Sequence, residues 1–255
     1  MGRHVVVTGA GTGIGRAIAL RLSESGARLT LLARRMDRLE VTAGLCREAG
    51  AEAATAASCD IRDKGGVDDC FARAAAQHGP IGALVANAGI GGANEDGDAD
   101  RFEDLVQTNL MGTYYCMRAA QRHLAAGPEA RHLLAVSSIL GRIGVPGYTG
   151  YCASKTGLLG LVRALAQEVA ADNVQVNAIC PGWVSTDMAW QGIDGMAAGL
   201  GITRDQAHEM AMSQVPMGRM SEPEDIAHMV AWLLSPGSRG VTGQGLDMNG
   251  GAWMG

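Results

Sequence analysis

Short apolar runs alternate with stretches of helical periodicity along the whole chain. His4–Thr8 reads as a short buried strand, and Ile14–Ser25 then carries Ile14, Ile18 and Leu22 on one face before Gly26 stops the helix. The alternation continues with a strand over Arg28–Ala33, a helix over Met36–Ala49 ended by Gly50, and a strand over Glu52–Cys59. A helix over Val67–His78, ended by Gly79-Pro80, leads to a strand over Ala83–Ala86. One long helix is predicted over Arg101–Ala126, a strand over His132–Ser137, a second long helix over Tyr151–Ala171 and a strand over Val174–Ile179. Glu222–Leu234 reads as a helix with Ser221 as N-cap and Glu224 three residues on, a capping-box pattern, and Leu246–Met248 as a short last strand. Repeated β–α–β order with short links implies one doubly wound parallel sheet with helices on both faces, an α/β fold. No linker, repeat or low-complexity run divides 1–255, so a single domain is expected. The least regular stretch is 183–220. Ligands of such sheets bind beyond the carboxyl ends of the strands, which makes this insertion a candidate lid.

Composition sharpens this picture. Nearly half of the 255 residues are apolar but only 4% are aromatic, so the core is expected to be built from Ala, Val, Leu, Ile and Met. A net charge of −5 argues against nucleic acid as a partner, because phosphate binding draws on a basic patch. No apolar run has the length of a membrane span and the N-terminus does not read as a signal peptide. The six cysteines form no CxxC pair, which favours reduced thiols in a cytoplasmic protein. Histidine spacing offers no metal site: His208-Glu209 lacks the second histidine of HExxH, and no GxSxG marks a hydrolase. The acidic stretch Asn94–Asp104 fails the EF-hand template and reads as a solvated loop and helix start.

Between the first strand and the first helix stands Thr8-Gly9-Ala10-Gly11-Thr12-Gly13-Ile14-Gly15. Glycines there allow a tight turn and a close backbone approach to a pyrophosphate, which the helix N-terminus then receives. The order TGxxxGxG resembles the fingerprint of the short-chain dehydrogenase/reductase family, whose fold is a single Rossmann-type sheet of about seven strands in the order 3-2-1-4-5-6-7. At the end of the second strand an acid selects NAD and an arginine accommodates the 2′-phosphate of NADP. Here Ala33-Arg34-Arg35 stand without an acid, a pattern that favours NADP(H), with NAD(H) the alternative. The basic residue that many NADP-preferring relatives carry before the second glycine is Thr12 in this chain. The resemblance also assigns Gly9, Thr12, Gly13, Ile14 and Gly15 to the cofactor and Asp60 and Ile61 to the adenine. Asn87-Ala88-Gly89 match the second half of an NNAG motif whose first residue is Ala86 here, and Pro181-Gly182-Trp183-Val184-Ser185-Thr186 resemble the family's PG motif, with Val184 and Thr186 against the nicotinamide carboxamide.

Tyr151-Cys152-Ala153-Ser154-Lys155 is a YxxxK motif at the start of the second long helix. Residues four apart share a helix face, so the Lys155 ammonium can stand near the Tyr151 phenol and lower its pKa from about 10. That gives an acid/base suited to carbonyl and alcohol chemistry. Ser138 lies thirteen residues upstream at a strand end, with Ser137 as its rival, and Asn109 sits inside the first long helix where its propensity is mediocre. The family resemblance makes these four a set: Tyr151 moves the proton, Lys155 tunes it and holds the nicotinamide ribose, Ser138 binds the substrate oxygen, and Asn109 holds a relay water. The activity implied is hydride transfer between the cofactor and a carbonyl or secondary alcohol.

The substrate is less legible. Trp183, Met188 and Trp190 are candidate substrate contacts, since Met adapts to irregular apolar surfaces. The layout resembles 3-oxoacyl thioester reductases and polyketide ketoreductases, which puts a β-oxo or β-hydroxy acyl thioester, carried on CoA or acyl carrier protein, or a cyclic ketone first. Arg142 and Arg204 are candidates for a carrier phosphate. The alternatives are a small secondary alcohol dehydrogenase using NAD(H), and an inactive nicotinamide sensor or scaffold. The family implies a homotetramer or homodimer, and Trp253-Met254 are candidates to reach a neighbour.

Overall fold

The computed structural model describes residues 2–95 and 97–255; Met1, and Asp96 of the acidic stretch, lie outside the described residues. Seven parallel strands form one sheet in the order β3-β2-β1-β4-β5-β6-β7. They are β1 (His4–Thr8), β2 (Arg28–Ala33), β3 (Ala53–Ser58), β4 (Ala83–Ala86), β5 (Arg131–Val136), β6 (Val174–Pro181) and β7 (Gly245–Met248). The central strands are buried on both faces, which is why they read as continuous apolar runs.

Successive residues of a strand point to opposite faces, and the two cores follow that alternation. Val5 and Val7 of β1, with Leu29 and Leu31 of β2, pack beneath α1 (Gly13–Ser23), α2 (Met36–Glu48) and a C-terminal helix, Pro223–Leu233, through Ile18, Leu22, Leu39, Ile226 and Val230. Val6, Leu84, Leu133 and Val176 point the other way, onto α3 (Lys64–His78) and two further helices, through Phe71, Met117, Leu159 and Val162. Strand order reverses between β1 and β4, so their carboxyl ends diverge and leave a crevice.

Three elements depart from the periodicity. The predicted helix Arg101–Ala126 is a short helix α4 (Phe102–Val106), a π-helical turn (Gln107–Gly112) and helix α5 (Thr113–Arg122). The wider turn carries Asn109 inward to full burial and is fitted by small residues: a Cβ on Gly112 would lie 2.7 Å from Ile61 Cδ1, and one on Gly157 2.8 Å from Leu110 Cδ2. After α6 (Thr149–Val169), the 183–220 stretch is not irregular. It holds α7 (Asp187–Leu200) and α8 (Arg204–Ser213), joined by their own core of Ile193, Ala197, Ala207, Ala211 and Met212. Interior glycines Gly192, Gly195 and Gly199 masked the periodicity of α7. The last helix, α9 (Pro223–Leu233), starts one residue later than predicted, with Glu222 and not Ser221 as its cap. The Glu222 N–H donates to Asp225 Oδ2 at 2.9 Å, and Pro223 occupies the first helical position, where no N–H is required.

Candidate active site

The glycine loop turns at the carboxyl end of β1. Gly9 and Gly13 have φ of 67° and 51°, and a Cβ on Gly15 would collide with the Gly9 carbonyl oxygen. Asn87 pins this loop from β4: its Nδ2 donates to the Thr8 and Gly9 carbonyls, both at 3.2 Å, and the N–H groups of Asn87 and Ala88 donate to Thr8 Oγ1. Thr12 is the N-cap of α1, yet its hydroxyl accepts no bond from the helix, and no acid stands in the first turn. The positive end of α1 is thus open to an anion in a cradle with no room for side chains, and a dinucleotide pyrophosphate fits it. Ile14 packs onto the core beside the loop. Gly89 borders Asn109 and Lys155, with a Cβ there 3.0 Å from Asn109 Oδ1 and 3.5 Å from Lys155 Nζ.

Arg34 and Arg35 are exposed at the end of β2 and the start of α2. A third arginine joins them that the sequence reading missed: a Cβ on Gly11 would lie 3.1 Å from Arg38 Cβ, so Arg38 borders the glycine loop. Its carboxylate neighbour, Asp37, lies 3.8 Å away. The available signal was the place of Arg38 in the first turn of the helix that follows Arg34 and Arg35. Asp60 is engaged by Arg62 at 2.7 Å, which holds its carboxyl below the usual range, and Ile61 is buried against Gly112.

Ser138, Tyr151 and Lys155 come together where β5 ends and α6 begins. Ser138 caps the 3₁₀ turn Ile139–Gly141, and its Oγ accepts the Leu140 N–H at 3.1 Å. The rival Ser137 instead donates to the Lys155 carbonyl at 2.8 Å, a bond that docks α6 on the sheet. Burial pushes the Tyr151 phenol above its ordinary pKa, with a hydrogen bond to Ser138 acting against the rise. Lys155 donates to the Val136 carbonyl at 2.8 Å, and its Nζ lies 5.6 Å from the centre of the Tyr151 ring. Burial lowers the Lys155 ammonium to about 8. Burial is the largest influence on the phenol, and the Lys155 ammonium is turned to the Val136 carbonyl.

Asn109 is fully committed within the protein. Its Oδ1 accepts the Ile90 N–H at 2.8 Å, and its Nδ2 donates to the Ile90 carbonyl at 3.0 Å and to Ser154 Oγ at 3.2 Å. Ser154 in turn donates to the Tyr151 carbonyl at 2.8 Å. Ser154, unremarked in the sequence, thus ties the π turn to the helix that carries Tyr151.

The segment after β6 covers the same end of the sheet. The Gly182 N–H donates to Met248 O, Val184 bridges to Ser221, and Thr186 caps α7. A Cβ on Gly13 would lie 3.2 Å from Thr186 Cγ2, which places Thr186 over the glycine loop. Met188 lies over the β4 loop, its Sδ 3.1 Å from where a Gly91 Cβ would stand, and Trp183 packs on Gly192. Trp190 has another setting: it stacks on His208 with ring centres 5.3 Å apart, under the Arg204 guanidinium at 4.9 Å. Arg204 also pairs with Asp194, and Arg142 pairs with Asp247 beside the ring of Trp253.

Among the described residues, no group of three or more His, Cys, Asp or Glu side chains could hold a metal ion, and no helix is long and apolar enough to cross a membrane. Residues 9–252 match the family described as enoyl-(acyl carrier protein) reductase. A Streptomyces coelicolor protein named as a ketoacyl reductase is 36% identical, over 96% of this chain and 95% of its own. The 3-oxoacyl-(acyl-carrier-protein) reductase FabG of Haemophilus influenzae is 35% identical over 99% of each chain. The crystal structure of a tryptophan variant of actinorhodin polyketide ketoreductase with NADPH superposes with a TM-score of 0.91 at 33% identity, covering 98% of this chain and 97% of the other. A seven-stranded sheet in this order, a glycine cradle at its switch point and full-length relatives of this kind make the chain a member of the short-chain dehydrogenase/reductase family, oxidoreductases that act on CH–OH and carbonyl groups.

Proposed function

We propose that this protein is an NADP(H)-dependent ketone reductase whose substrate is a β-oxo acyl compound or a cyclic ketone. The observation that carries the reading is the setting of Tyr151: a half-buried phenol, its pKa raised and not lowered, beside the Ser138 hydroxyl. An acid kept protonated next to a hydroxyl donor is suited to receive a carbonyl oxygen and give it a proton.

In this reading NADPH, when bound, supplies the hydride. The chain's residues do the rest. The Gly9–Gly15 cradle and the open end of α1 receive the pyrophosphate, while Arg34, Arg35 and Arg38 receive the 2′-phosphate. Ser138 orients the substrate oxygen and Tyr151 delivers the proton to it. Lys155 holds the nicotinamide ribose, and Asn109 fixes the Ile90 backbone and Ser154 around them. Pro181, Gly182, Val184 and Thr186 close on the nicotinamide side. Helices α7 and α8 form the lid, with Trp183 and Met188 as apolar walls. Relatives named as ketoacyl and polyketide ketoreductases, one of them solved with NADPH, support the choice of substrate and cofactor.

The test is steady-state turnover of a bicyclic ketone and a 3-oxoacyl thioester with NADPH and with NADH. Preference for NADPH, and a Tyr151→Phe variant that binds NADPH but turns over about a thousandfold more slowly, is the expected result. Equal kcat/KM with both cofactors, or a Tyr151→Phe variant retaining most of its activity, overturns it.

A further inference from the structure

The acidic stretch after β4 has no role in the reading above, yet it stands beside the site. The Asn94 N–H donates to the Gly147 carbonyl at 2.7 Å, and Asn94 Oδ1 accepts the Gly150 N–H at 2.8 Å, one residue before Tyr151. From the other side, Met188 of α7 lies against Gly91. The 90–104 segment and the α7–α8 lid therefore flank the end of the sheet where Ser138 and Tyr151 lie.

The free charge on both flanks is negative. Glu95, Asp98, Asp100 and Glu103 are exposed, and none has a cationic partner among the described residues. The same holds for Asp187 and Asp205 of the lid. The arginines in the same region are each held by a carboxylate and a second group. Arg101 pairs with Asp104 at 3.6 Å and donates to the Gly91 carbonyl; Arg204 pairs with Asp194 at 2.9 Å and lies over Trp190. Arg219 pairs with Asp225 at 3.7 Å and donates to the Met220 carbonyl. Arg142 pairs with Asp247 at 3.2 Å, donates to the Gly245 carbonyl at 2.7 Å and is covered by Trp253. Only two of the 21 basic residues are lysines, Lys64 and the buried Lys155, so no flexible ammonium is at hand to replace them. Arg34, Arg35 and Arg38, exposed and without a firm carboxylate partner, stand at the end of β2 and the start of α2, with Arg38 beside the glycine loop.

We infer that the substrate is a small uncharged carbonyl compound that enters free, and that the acidic rim discriminates against the same acyl group on a phosphate-bearing or acidic carrier. The inference rests on the proposed ketone reductase activity and narrows its substrate class. The physical basis is like-charge repulsion along the approach, which lowers the encounter rate of an anion and is screened by salt, while a neutral molecule is indifferent to it. The apolar walls Trp183 and Met188 then supply the binding surface for an uncharged body.

The experiment uses the full chain with saturating NADPH and one 3-oxoacyl group presented in three forms: as a neutral N-acetylcysteamine thioester, as a CoA thioester and on an acyl carrier protein. A neutral bicyclic ketone is run beside them, each at about 20 and about 200 mM salt. The neutral thioester is expected to exceed the other two in kcat/KM by about tenfold at low salt, with the gap narrowing as salt is added. Asp98→Lys combined with Glu103→Lys is expected to raise kcat/KM for the CoA thioester about threefold or more and to leave the neutral ketone unchanged. Equal or higher kcat/KM for either anionic form, a fall of that value with salt, or no effect of the double charge reversal overturns the inference while leaving the reductase reading in place. No NADPH-dependent turnover of any of the four overturns the reductase reading, and this inference with it.

Discussion

Lys155 carries a cost that a stability measurement can expose. The residue is 5% exposed, and Val136 O at 2.8 Å is the hydrogen-bond acceptor of its ammonium. Burial lowers its pKa from 10.5 to about 8. At neutral pH the group is still mostly charged, so keeping it so in the folded chain costs about 3 kcal/mol relative to the unfolded chain. Lys155→Met removes the charge and keeps most of the side-chain volume. It also leaves the Val136 carbonyl without this donor, a loss of about 1–2 kcal/mol. The cofactor-free variant should therefore be more stable than the natural chain by about 1–2 kcal/mol at pH 7, or about 4 °C in Tm for a chain of this size. The sign of the pH dependence follows from the same shift. Between pH 8 and 10.5 the unfolded chain retains the Lys155 proton that the folded chain has lost, so the natural chain gains stability as pH rises through that window. The variant lacks that gain, and its advantage should shrink by pH 10. Urea unfolding of both chains at pH 7 and pH 10, without cofactor, measures the difference. A variant less stable than the natural chain at pH 7, or an advantage that does not change with pH, refutes the account of Lys155 as a charge held at a cost. Turnover should be lost in the variant under either outcome; a variant that is both inactive and more stable makes Lys155 a site where stability is given up for function.

Three further outcomes can be checked directly. Burial raises the Tyr151 phenol, so an ultraviolet titration of the cofactor-free chain, minus that of Tyr151→Phe, should show its phenolate appearing above the ordinary tyrosine value of about 10; ionisation near pH 7 would contradict the burial argument. Arg34→Ala combined with Arg38→Ala removes two charge-assisted donors and should raise KM for NADPH by about 10–100-fold while changing the NADH reaction far less; equal losses with both cofactors would remove these residues from 2′-phosphate recognition. Gly15→Ala drives a methyl group into the Gly9 carbonyl and Asn87 Nδ2, so NADPH affinity, titrated by fluorescence enhancement, should fall at least tenfold, a loss of about 1.4 kcal/mol or more; unchanged binding would show that the cradle yields.

The strands and most helices were legible because each had a single pattern to obey. A strand buried on both faces, such as His4–Thr8, has to be apolar throughout, and a helix closed by glycine, such as that before Gly26, has to show a stripe. The departures occur where two demands compete. Residues 101–122 have the composition of one helix, but Asn109 makes three bonds to Ile90 and Ser154. Those bonds are satisfied in a π turn, and nothing in local periodicity announces a partner nineteen residues away in sequence. Helix α7 was hidden by glycines at 195 and 199 that face open space, so no packing requirement explains them. Each lowers helix stability by about 1 kcal/mol against alanine. At the start of α9, Pro223 was the stronger signal, since proline favours the first helical position and so moves the cap to Glu222.

The candidate site shows the same limit in its electrostatics. Helical spacing correctly puts Lys155 on the same face as Tyr151, and the ammonium does lie 5.6 Å from the ring centre. Spacing alone says nothing of the third party, the Val136 carbonyl at the end of β5, which claims the ammonium at 2.8 Å. Nor does it reveal how far each is buried, Lys155 almost wholly and Tyr151 in part. Burial acts on the two groups in opposite directions, because each is driven toward its neutral form. The phenol becomes a weaker acid while the ammonium, at about 8, becomes a stronger one. In the cofactor-free chain the lysine therefore gives up its proton before the tyrosine does, and the tyrosine stays an acid throughout the physiological range. A protonated phenol is the form that gives a proton to a carbonyl oxygen, so carbonyl reduction should run below the phenol's pKa and alcohol oxidation should gain as pH rises. That pH dependence comes from burial, which only the folded chain supplies.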